Sequence, residues 1–149
     1  MSIFVLCFLL IFSTSLFVSG QNQSAYEVLQ KNNLPGGILP HGVVKYDLNK
    51  KTGFFKVYFN STCSFPIDSY KVKYQSTISG YLRTGRVRQL QGVSVKVLFF
   101  WVHISEVYRD GDDIDLSVGV ASEEFSVRNF ENSPRCGCGF DCYRAVSSF

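Results

Sequence analysis

The feature that most constrains the fold of this chain is an apolar segment, residues 92–108, which concentrates valine, isoleucine and aromatic residues. Such residues favour a pleated strand, so the segment predicts one long β-strand, or two strands joined by a bend. Alternate residues point to one face, namely Val93, Val95, Val97, Phe99 and Trp101. From Leu98 onward the other face is apolar as well. We therefore expect a strand that begins half exposed and becomes buried on both faces.

Short alternating segments elsewhere supply partners for this strand, and together they indicate about eight strands. The segments outside the central one are residues 43–48, 54–59, 70–76, 76–82, 86–90, 114–120 and 125–127. A capping-box spacing that starts at Ser24 predicts one short helix over residues 25–33. Cys63, Pro66 and Asp68 are expected in a loop. Strands at short spacing with one helix predict a mainly β fold, a small antiparallel β-barrel, with a sandwich as the alternative.

The first twenty residues carry no charged side chain and form an apolar run that ends in Ser19-Gly20. This pattern predicts a signal peptide over residues 1–20, although the usual basic residue before the apolar run is missing. Residues 21–149 then form a single β-barrel domain with a cysteine-rich tail, expected to be a secreted monomer of the apoplast or cell wall, or of the vacuole. Sequons at Asn60 and Asn22 predict N-glycosylation.

Four cysteines remain after the predicted cleavage, and an oxidising compartment favours two disulfides. They are Cys63, Cys136, Cys138 and Cys142. A ring between Cys136 and Cys138 would be strained, so Cys63 is expected to bond to one tail cysteine, and Cys138–Cys142 is one candidate for the other pair. A four-thiolate zinc site is the rival hypothesis, but it normally uses two paired CxxC knuckles, and Cys63 stands alone.

Charge is divided along the chain. Residues 45–96 hold ten basic side chains against Asp47 and Asp68, whereas residues 106–131 hold eight acidic side chains against Arg109 and Arg128. The simplest interpretation is that both sets are solvated faces of strands and turns. The alternative is a basic face that meets an anionic cell-wall or membrane surface. The predicted export argues against a nucleic-acid partner.

No catalytic residues, metal site or cofactor are predicted. No G-x-S-x-G nucleophile motif is complete, and His41 and His103 are the two imidazoles that could serve as a base. The acidic run from Asp110 to Asp115 lacks the glycine placement and closing glutamate of an EF-hand loop, so a charged turn explains it more simply.

Aromatic side chains make up 15% of the chain. Most should fill the barrel, and some could line an apolar cavity of the kind in which small barrels bind one ligand. The predicted ligand-binding residues are Tyr74, Tyr81, Phe99, Trp101 and His103.

Three stretches carry a resemblance to a known family: AYEVLQKNNLPGGILPHGVVKYDL, GRVRQLQGVSVKVLFFWVHISEV and FSVRNFENSPRCGCGFDC. The first contains the pattern LP-x-G-x-LP-x-G, and the second contains G-x-x-V-K-x-x-x-x-W. The residues of the two patterns are Leu34, Pro35, Gly37, Leu39, Pro40 and Gly42, and then Gly92, Val95, Lys96 and Trp101. From about Ala25 to Cys142 the chain resembles the secreted branch of the plant family catalogued as domain of unknown function 538.

The resemblance implies a small antiparallel β-barrel similar to the lipid-binding domains of bactericidal/permeability-increasing protein. It also implies binding of lipid or lipopolysaccharide, or a chlorophyll-degrading esterase activity, in plant stress or defence. Our first hypothesis is therefore a secreted barrel that binds an apolar or amphipathic, lipid-like small molecule. The alternatives are an ester hydrolase that uses His103 or His41 with a nearby serine, and a cell-wall or partner-docking module that uses the basic face.

Overall fold

The computed structural model describes residues 23–140 and residue 142. This part of the chain forms an α-helix, α1, over Ala25–Lys31, and 3₁₀ turns over Gly36–Ile38 and Val127–Phe130. Nine strands, β1 to β9, span Val43–Leu48, Phe54–Phe59, Cys63–Ile67, Tyr70–Arg83, Arg86–Val97, Phe100–His103, Glu106–Asp110, Asp113–Ser117 and Ser122–Ser126. The predicted signal peptide and the sequon at Asn22 lie outside the described residues. No helix within them is long and apolar enough to span a membrane.

All nine strands belong to one antiparallel sheet, which confirms the predicted mainly β fold with one short helix. The sheet runs β1-β2-β4-β5-β7-β8-β9, while β3 pairs with β4 and β6 pairs with β5. Among the described residues no ladder joins β1 to β9, so the sheet is an open one that curves round its core. The two longest strands, β4 and β5, are each paired along one edge by two shorter strands, one at each end.

The helix α1 begins and ends where local chemistry dictates. The Ser24 hydroxyl accepts a hydrogen bond from the Glu27 amide at 3.1 Å, as the capping box predicts. The helix ends at Lys31, two residues before the predicted end, because Asn33 adopts a left-handed conformation with φ 60°. The amides of Asn33 and Leu34 then donate to Gln30 and Leu29 in a Schellman arrangement.

The loop predicted around Cys63 and Pro66 is wrong, because these residues lie in strand β3. Proline donates no amide hydrogen bond, so a proline-bearing segment is tolerated only where one strand edge has no ladder partner. β3 meets this condition, since its ladder joins it to β4 alone. Asp68 lies in the β3–β4 turn with φ 50°.

The core lies on the concave face of the sheet, and α1 with the following 3₁₀ turn covers it. Phe65, Leu29, Leu34, Ile104 and Ile114 are among its fully buried side chains. Among the described residues no charged side chain is buried. The core therefore depends on apolar burial, at about 25 cal/mol for each Å² removed from water.

Candidate functional site

The central apolar segment is divided between three strands. β5 ends at Val97, residues Leu98 and Phe99 form a two-residue turn, and β6 begins at Phe100, which pairs with Val97. The expected burial on both faces is wrong here, because Leu98, Phe99 and Phe100 are 83%, 88% and 72% exposed. Five of the eight exposed large hydrophobic residues in the described chain are consecutive, residues 97–101. We call these five residues the tip.

The turn of the tip holds Leu98 in an unfavourable conformation. Its φ is 58°, in the left-handed region. Two-residue hairpin turns require positive φ at their first central position and usually place glycine or asparagine there. A leucine in this region costs about 1–2 kcal/mol. Leu98 is therefore disfavoured both by the backbone conformation of the turn and by its exposure to water.

Lysines surround the tip on the outer face of the sheet. Lys71 pairs with Lys96 across β4 and β5, and Lys96 pairs with Trp101 across β5 and β6, so the three side chains form one row. Lys73 lies two residues further along β4, and its ammonium group is 4.1 Å from the centre of the Trp101 indole ring. We call Lys71, Lys73 and Lys96 the lysine patch.

On the inner face, the same end of the sheet encloses an apolar cavity of about 190 Å³, which we call the end cavity. Val97 of the tip forms part of its wall. The full lining comprises Ile67, Tyr70, Val72, Val95, Val97, Ile104, Leu116, Val118, Ala121, Ser122, Glu123 and Phe125. The end cavity therefore adjoins the exposed tip, and its wall is almost entirely apolar.

A second cavity, of about 50 Å³, lies in the centre of the core, and we call it the core cavity. It is lined in part by Tyr74, Val57 and Val87. This volume is far below the roughly 150 Å³ of an engineered cavity that binds benzene, so it is too small to hold even one ring. We interpret it as a packing void. The buried Tyr74 hydroxyl donates a hydrogen bond to the carbonyl of Ile38 and so anchors the 3₁₀ turn over the sheet.

Replacement of this tyrosine tests the anchor. Burial raises the pKa of Tyr74, so the folded protein keeps its proton above about pH 10, where an unfolded tyrosine ionises. The contribution of Tyr74 to the free energy of unfolding is therefore fully present below about pH 10. Above that pH it decreases by about 1.4 kcal/mol for each pH unit. Tyr74→Phe should lower the free energy of unfolding by about 1–3 kcal/mol at pH 7, because the Ile38 carbonyl loses its partner.

Urea denaturation of both proteins between pH 7 and pH 11 measures these effects. The difference in free energy of unfolding between wild type and Tyr74→Phe should narrow above about pH 10. A constant difference across this range would show that Tyr74 ionises in the folded protein as it does in the unfolded one.

The predicted ligand-binding residues do not converge on one cavity. Tyr74 contributes to the core cavity, whereas Phe99, Trp101 and His103 lie on the tip hairpin, in its turn or on its outer face. Tyr81 is 37% exposed on the outer face, where its ring contacts Phe54 with ring centres 5.4 Å apart. The described site instead comprises the tip, the lysine patch and the end cavity.

Neither histidine faces the end cavity. His103 pairs with Ser94 across β5 and β6, so both side chains lie on the outer face. No hydrogen bond between these two side chains is present in the described structure. His41 is exposed after the first 3₁₀ turn, and its amide donates to the Pro134 carbonyl at 2.9 Å. Within the described part of the chain, neither histidine lines the end cavity or the smaller cavity in the core.

The cysteines form two disulfides, Cys63–Cys136 and Cys138–Cys142, with Cα–Cα distances of 5.1 and 5.3 Å. This is one of the arrangements that the sequence left open, and it leaves none of the four thiols for a zinc site. The first disulfide, together with a hydrogen bond from the Gly137 amide to the Ser64 carbonyl, fastens the tail against β3. Disulfides of this kind are typical of proteins that fold in an oxidising compartment.

Two charged clusters lie away from the tip. Carboxylate oxygens of Asp110, Asp115 and Glu124 lie within 4.8 Å of one another on the β7–β8–β9 surface. A hydrogen bond that protonated Glu124 donates to the Asp113 carboxylate, together with the negative charges of Asp113 and Asp115, raises the pKa of Glu124. At the opposite end of β4 and β5, an open groove carries four arginines: Arg83, Arg86, Arg88 and Arg109.

Several of these arginines already have protein partners. Arg86 forms an ion pair with Glu106 at 2.9 Å, and Arg83 donates to the Thr52 carbonyl at 2.9 Å. Both the acidic and the basic cluster therefore fit the predicted solvated strand ends and turns. Asn60 is exposed in the β2–β3 turn, where a glycan would not meet the core, and its glycosylation stays a prediction.

Comparison with known proteins places most of the described chain in one family model. The model described as "Protein of unknown function, DUF538" matches residues 25–131. An uncharacterized protein from Arabidopsis thaliana is 27% identical over 95 residues, which cover 63% of this chain and 55% of the relative. The chain thus spans about half the length of this curated relative. The tail disulfide Cys138–Cys142 lies beyond the residues that the family model matches.

Proposed function

Because the chain belongs to DUF538, a family of unknown function, we propose its role from the geometry: an exported binding domain that holds the apolar end of an amphipathic small molecule in the end cavity. The observation that carries this proposal is the apolar wall of that cavity, which adjoins an exposed apolar tip through Val97.

The volume of the end cavity indicates how much of a ligand it can hold. An engineered cavity of about 150 Å³ lined by leucine, isoleucine and phenylalanine binds benzene. At about 190 Å³, the end cavity is suited to a ring or a short stretch of acyl chain rather than a whole lipid. Each methylene that it removes from water contributes about 0.8 kcal/mol. A polar head would remain at the mouth, near Ser122 and Glu123.

A cavity-filling variant tests this proposal. Val95 lies on the inner face of β5, opposite Val72 and Val102, and contributes to the end-cavity wall. Val95→Phe should place a ring in the space that the ligand would occupy and exclude two or more methylenes. We expect decanoate, measured by isothermal titration calorimetry, to bind this variant at least about tenfold more weakly than wild type.

The matched control is Ser94→Phe, which adds a ring at the neighbouring position on the outer face. It should bind decanoate as wild type does, and the thermal unfolding of both variants verifies that they are folded. Equal affinity for decanoate in wild type and Val95→Phe would contradict binding in the end cavity.

A further inference from the structure

We propose that the tip and the lysine patch dock this protein on the surface of an anionic lipid bilayer. This goes beyond the small-molecule binding proposed above, because the docking surface shares only Val97 with the end-cavity wall and does not require that the cavity be filled.

The apolar side chains of the tip are arranged for insertion into a bilayer. Leu98 and Phe99 project from the end of the β5–β6 hairpin and are the most exposed of its residues. No other described element covers them. In water, side chains of this size are costly to leave exposed, at about 1.5–3 kcal/mol each relative to full burial. Insertion of the turn into the hydrocarbon boundary would recover part of this free energy.

The next layer of the hairpin fits the bilayer interface. Trp101 lies two residues beyond Phe99, on the outer face, and tryptophan is enriched where lipid meets water. The lysine patch lies around its ring, with Lys96 directly opposite and Lys73 over the indole. The hairpin therefore matches the layers of a bilayer in order. Its apolar turn corresponds to the hydrocarbon, Trp101 to the interface, and the ammonium groups of the lysine patch to the phosphates.

The charge around the tip is complementary to anionic headgroups. Two outer-face rows cross this end of the sheet; they comprise Pro66, Lys71, Lys96 and Trp101, and Ser64, Lys73, Ser94 and His103. Neither row contains an acidic residue. The acids nearest in the chain are Asp68, which lies in the β3–β4 turn, and Glu106, which begins β7 and forms an ion pair with Arg86. A lysine near an anionic membrane surface contributes about 1 kcal/mol to binding.

The strained turn favours a bilayer over a polysaccharide as the partner. An anionic polysaccharide would be recognised by the lysine patch alone and would gain nothing from Leu98 or Phe99. Leu98 keeps a left-handed conformation that glycine would adopt without strain, and it places an apolar side chain at the most projecting point of the hairpin. Residues held in such conformations cluster at functional sites.

The chain contains a built-in reporter for this docking, since Trp101 is its single tryptophan. We would titrate the protein with vesicles of phosphatidylcholine containing 30% phosphatidylserine and record tryptophan emission. The expected result is a saturable blue shift that weakens as salt is added, and a much weaker shift with pure phosphatidylcholine. The shift reports the environment of the tip and not that of any other apolar segment.

Three variants separate the contributions of Phe99, of the lysine patch and of Leu98 to vesicle binding. Phe99→Ser should weaken binding roughly tenfold to hundredfold, because one large side chain no longer inserts. Lys71→Gln with Lys96→Gln should weaken it about 30-fold at low salt. Leu98→Gly should also weaken binding while unfolding at a temperature no lower than that of wild type, because glycine relieves the positive φ.

Matched controls carry the same changes elsewhere on the sheet. Val44→Ser removes an exposed apolar side chain from β1, and Lys50→Gln with Lys51→Gln removes two charges from the β1–β2 turn at the far end. Both should bind vesicles as wild type does, and so should the cavity-filling Val95→Phe. The cavity and docking proposals can therefore fail independently.

Three results would overturn the docking proposal. The first is the absence of a blue shift with anionic vesicles, or a shift that Phe99→Ser leaves unchanged. The second is retention on polygalacturonate, equal in wild type and Phe99→Ser, with no vesicle binding, which would indicate a cell-wall polysaccharide. The third is a dimer in sedimentation analysis that Phe99→Ser dissociates, again with no vesicle binding, which would make a second copy of the chain the occupant of the tip.

Discussion

Replacing both Cys63 and Cys136 with alanine is expected to lower the free energy of unfolding by about 4 kcal/mol. The Cys63–Cys136 disulfide joins residues 73 apart in sequence, so it removes a large loop-closure entropy from the unfolded chain. In the folded chain, Cys63 is only 1% exposed and alanine fits its place without adding a polar group. For a domain of this size, we expect the melting temperature to fall by about 15 °C.

The second disulfide supplies the control. Cys138 and Cys142 are only 4 residues apart, so their bond constrains a much shorter loop, and Cys138→Ala with Cys142→Ala should cost no more than about 2 kcal/mol. Chemical denaturation of the two double variants, both under oxidising conditions, measures the difference. Equal destabilisation would show that the disulfides act by holding the tail locally and not by shortening a long loop.

The second large effect is expected for Gly37→Ala, at about 3 kcal/mol or more. A Cβ atom built at Gly37 would lie 2.0 Å from the carbonyl oxygen of Phe130 and 2.7 Å from that of Asn132. Both are backbone atoms, so the segment after β9 would have to move. That movement would disturb the bond from the His41 amide to Pro134 and the burial of Phe130 in the core.

Gly36→Ala, at the neighbouring position, is the matched control. Its Cβ would meet the amide nitrogen of the Gln30 side chain at 3.3 Å, and this flexible group can move aside. The free energy of unfolding should therefore change by less than about 1 kcal/mol. If urea denaturation showed that both alanine variants lose a similar free energy of unfolding, the close contact with Phe130 would not be the reason for glycine at position 37. Helix and turn propensity would then explain both losses.

This contact gives the LP-x-G-x-LP-x-G pattern a physical meaning that the sequence could not supply. The pattern identified a segment with an unusual need for glycine, but the reason at Gly37 is a backbone more than ninety residues later in the chain. At Gly42 the reason is local, because its φ is 104°. A sequence shows the second kind of constraint through turn chemistry, whereas the first depends on tertiary packing.

Most strands were predictable because apolar and polar residues alternate along them. β1 and β2 have the bounds that their patterns indicate, and the β4–β5 turn lies between the predicted segments 76–82 and 86–90. The alternation did not reveal that residues 70–76 and 76–82 form one strand, β4, which changes its partner from β3 to β2 along its length. Partner changes leave no mark on a strand's own period.

Two strands joined by a bend were one of the two expected arrangements of this segment, but the position of the tip could not be predicted, because its turn lacks turn residues. Leu98-Phe99 contains none of the glycine, asparagine, aspartate or proline that mark hairpin turns. The one available signal was length, since a single strand over residues 92–108 would exceed the usual 3–10 residues. Apolar composition was therefore interpreted as burial, when in this segment it marks exposed side chains.

The same misinterpretation affected the ligand-binding residues. Trp101 and Phe99 were expected to form a cavity wall, but the hairpin directs them to the outer face and the turn. The walls of the end cavity come in part from Val118 and Ala121, in a loop after β8, and the predicted strand over residues 114–120 included Val118. Which residues of an open sheet face one another depends on its curvature, and the periodicity of single strands does not encode curvature.

The central claim is that the end cavity receives the apolar end of an amphipathic molecule, and the most direct test is methyl NMR of the labelled protein titrated with decanoate. We predict saturable shifts for the methyl groups of Val95, Val97, Val118 and Ala121, which line the end cavity and not the core cavity. The methyl groups of Val57 and Val87, beside the core cavity, should keep their positions. Shifts confined to the core-cavity residues, or no saturable shift at any methyl group, would contradict the claim.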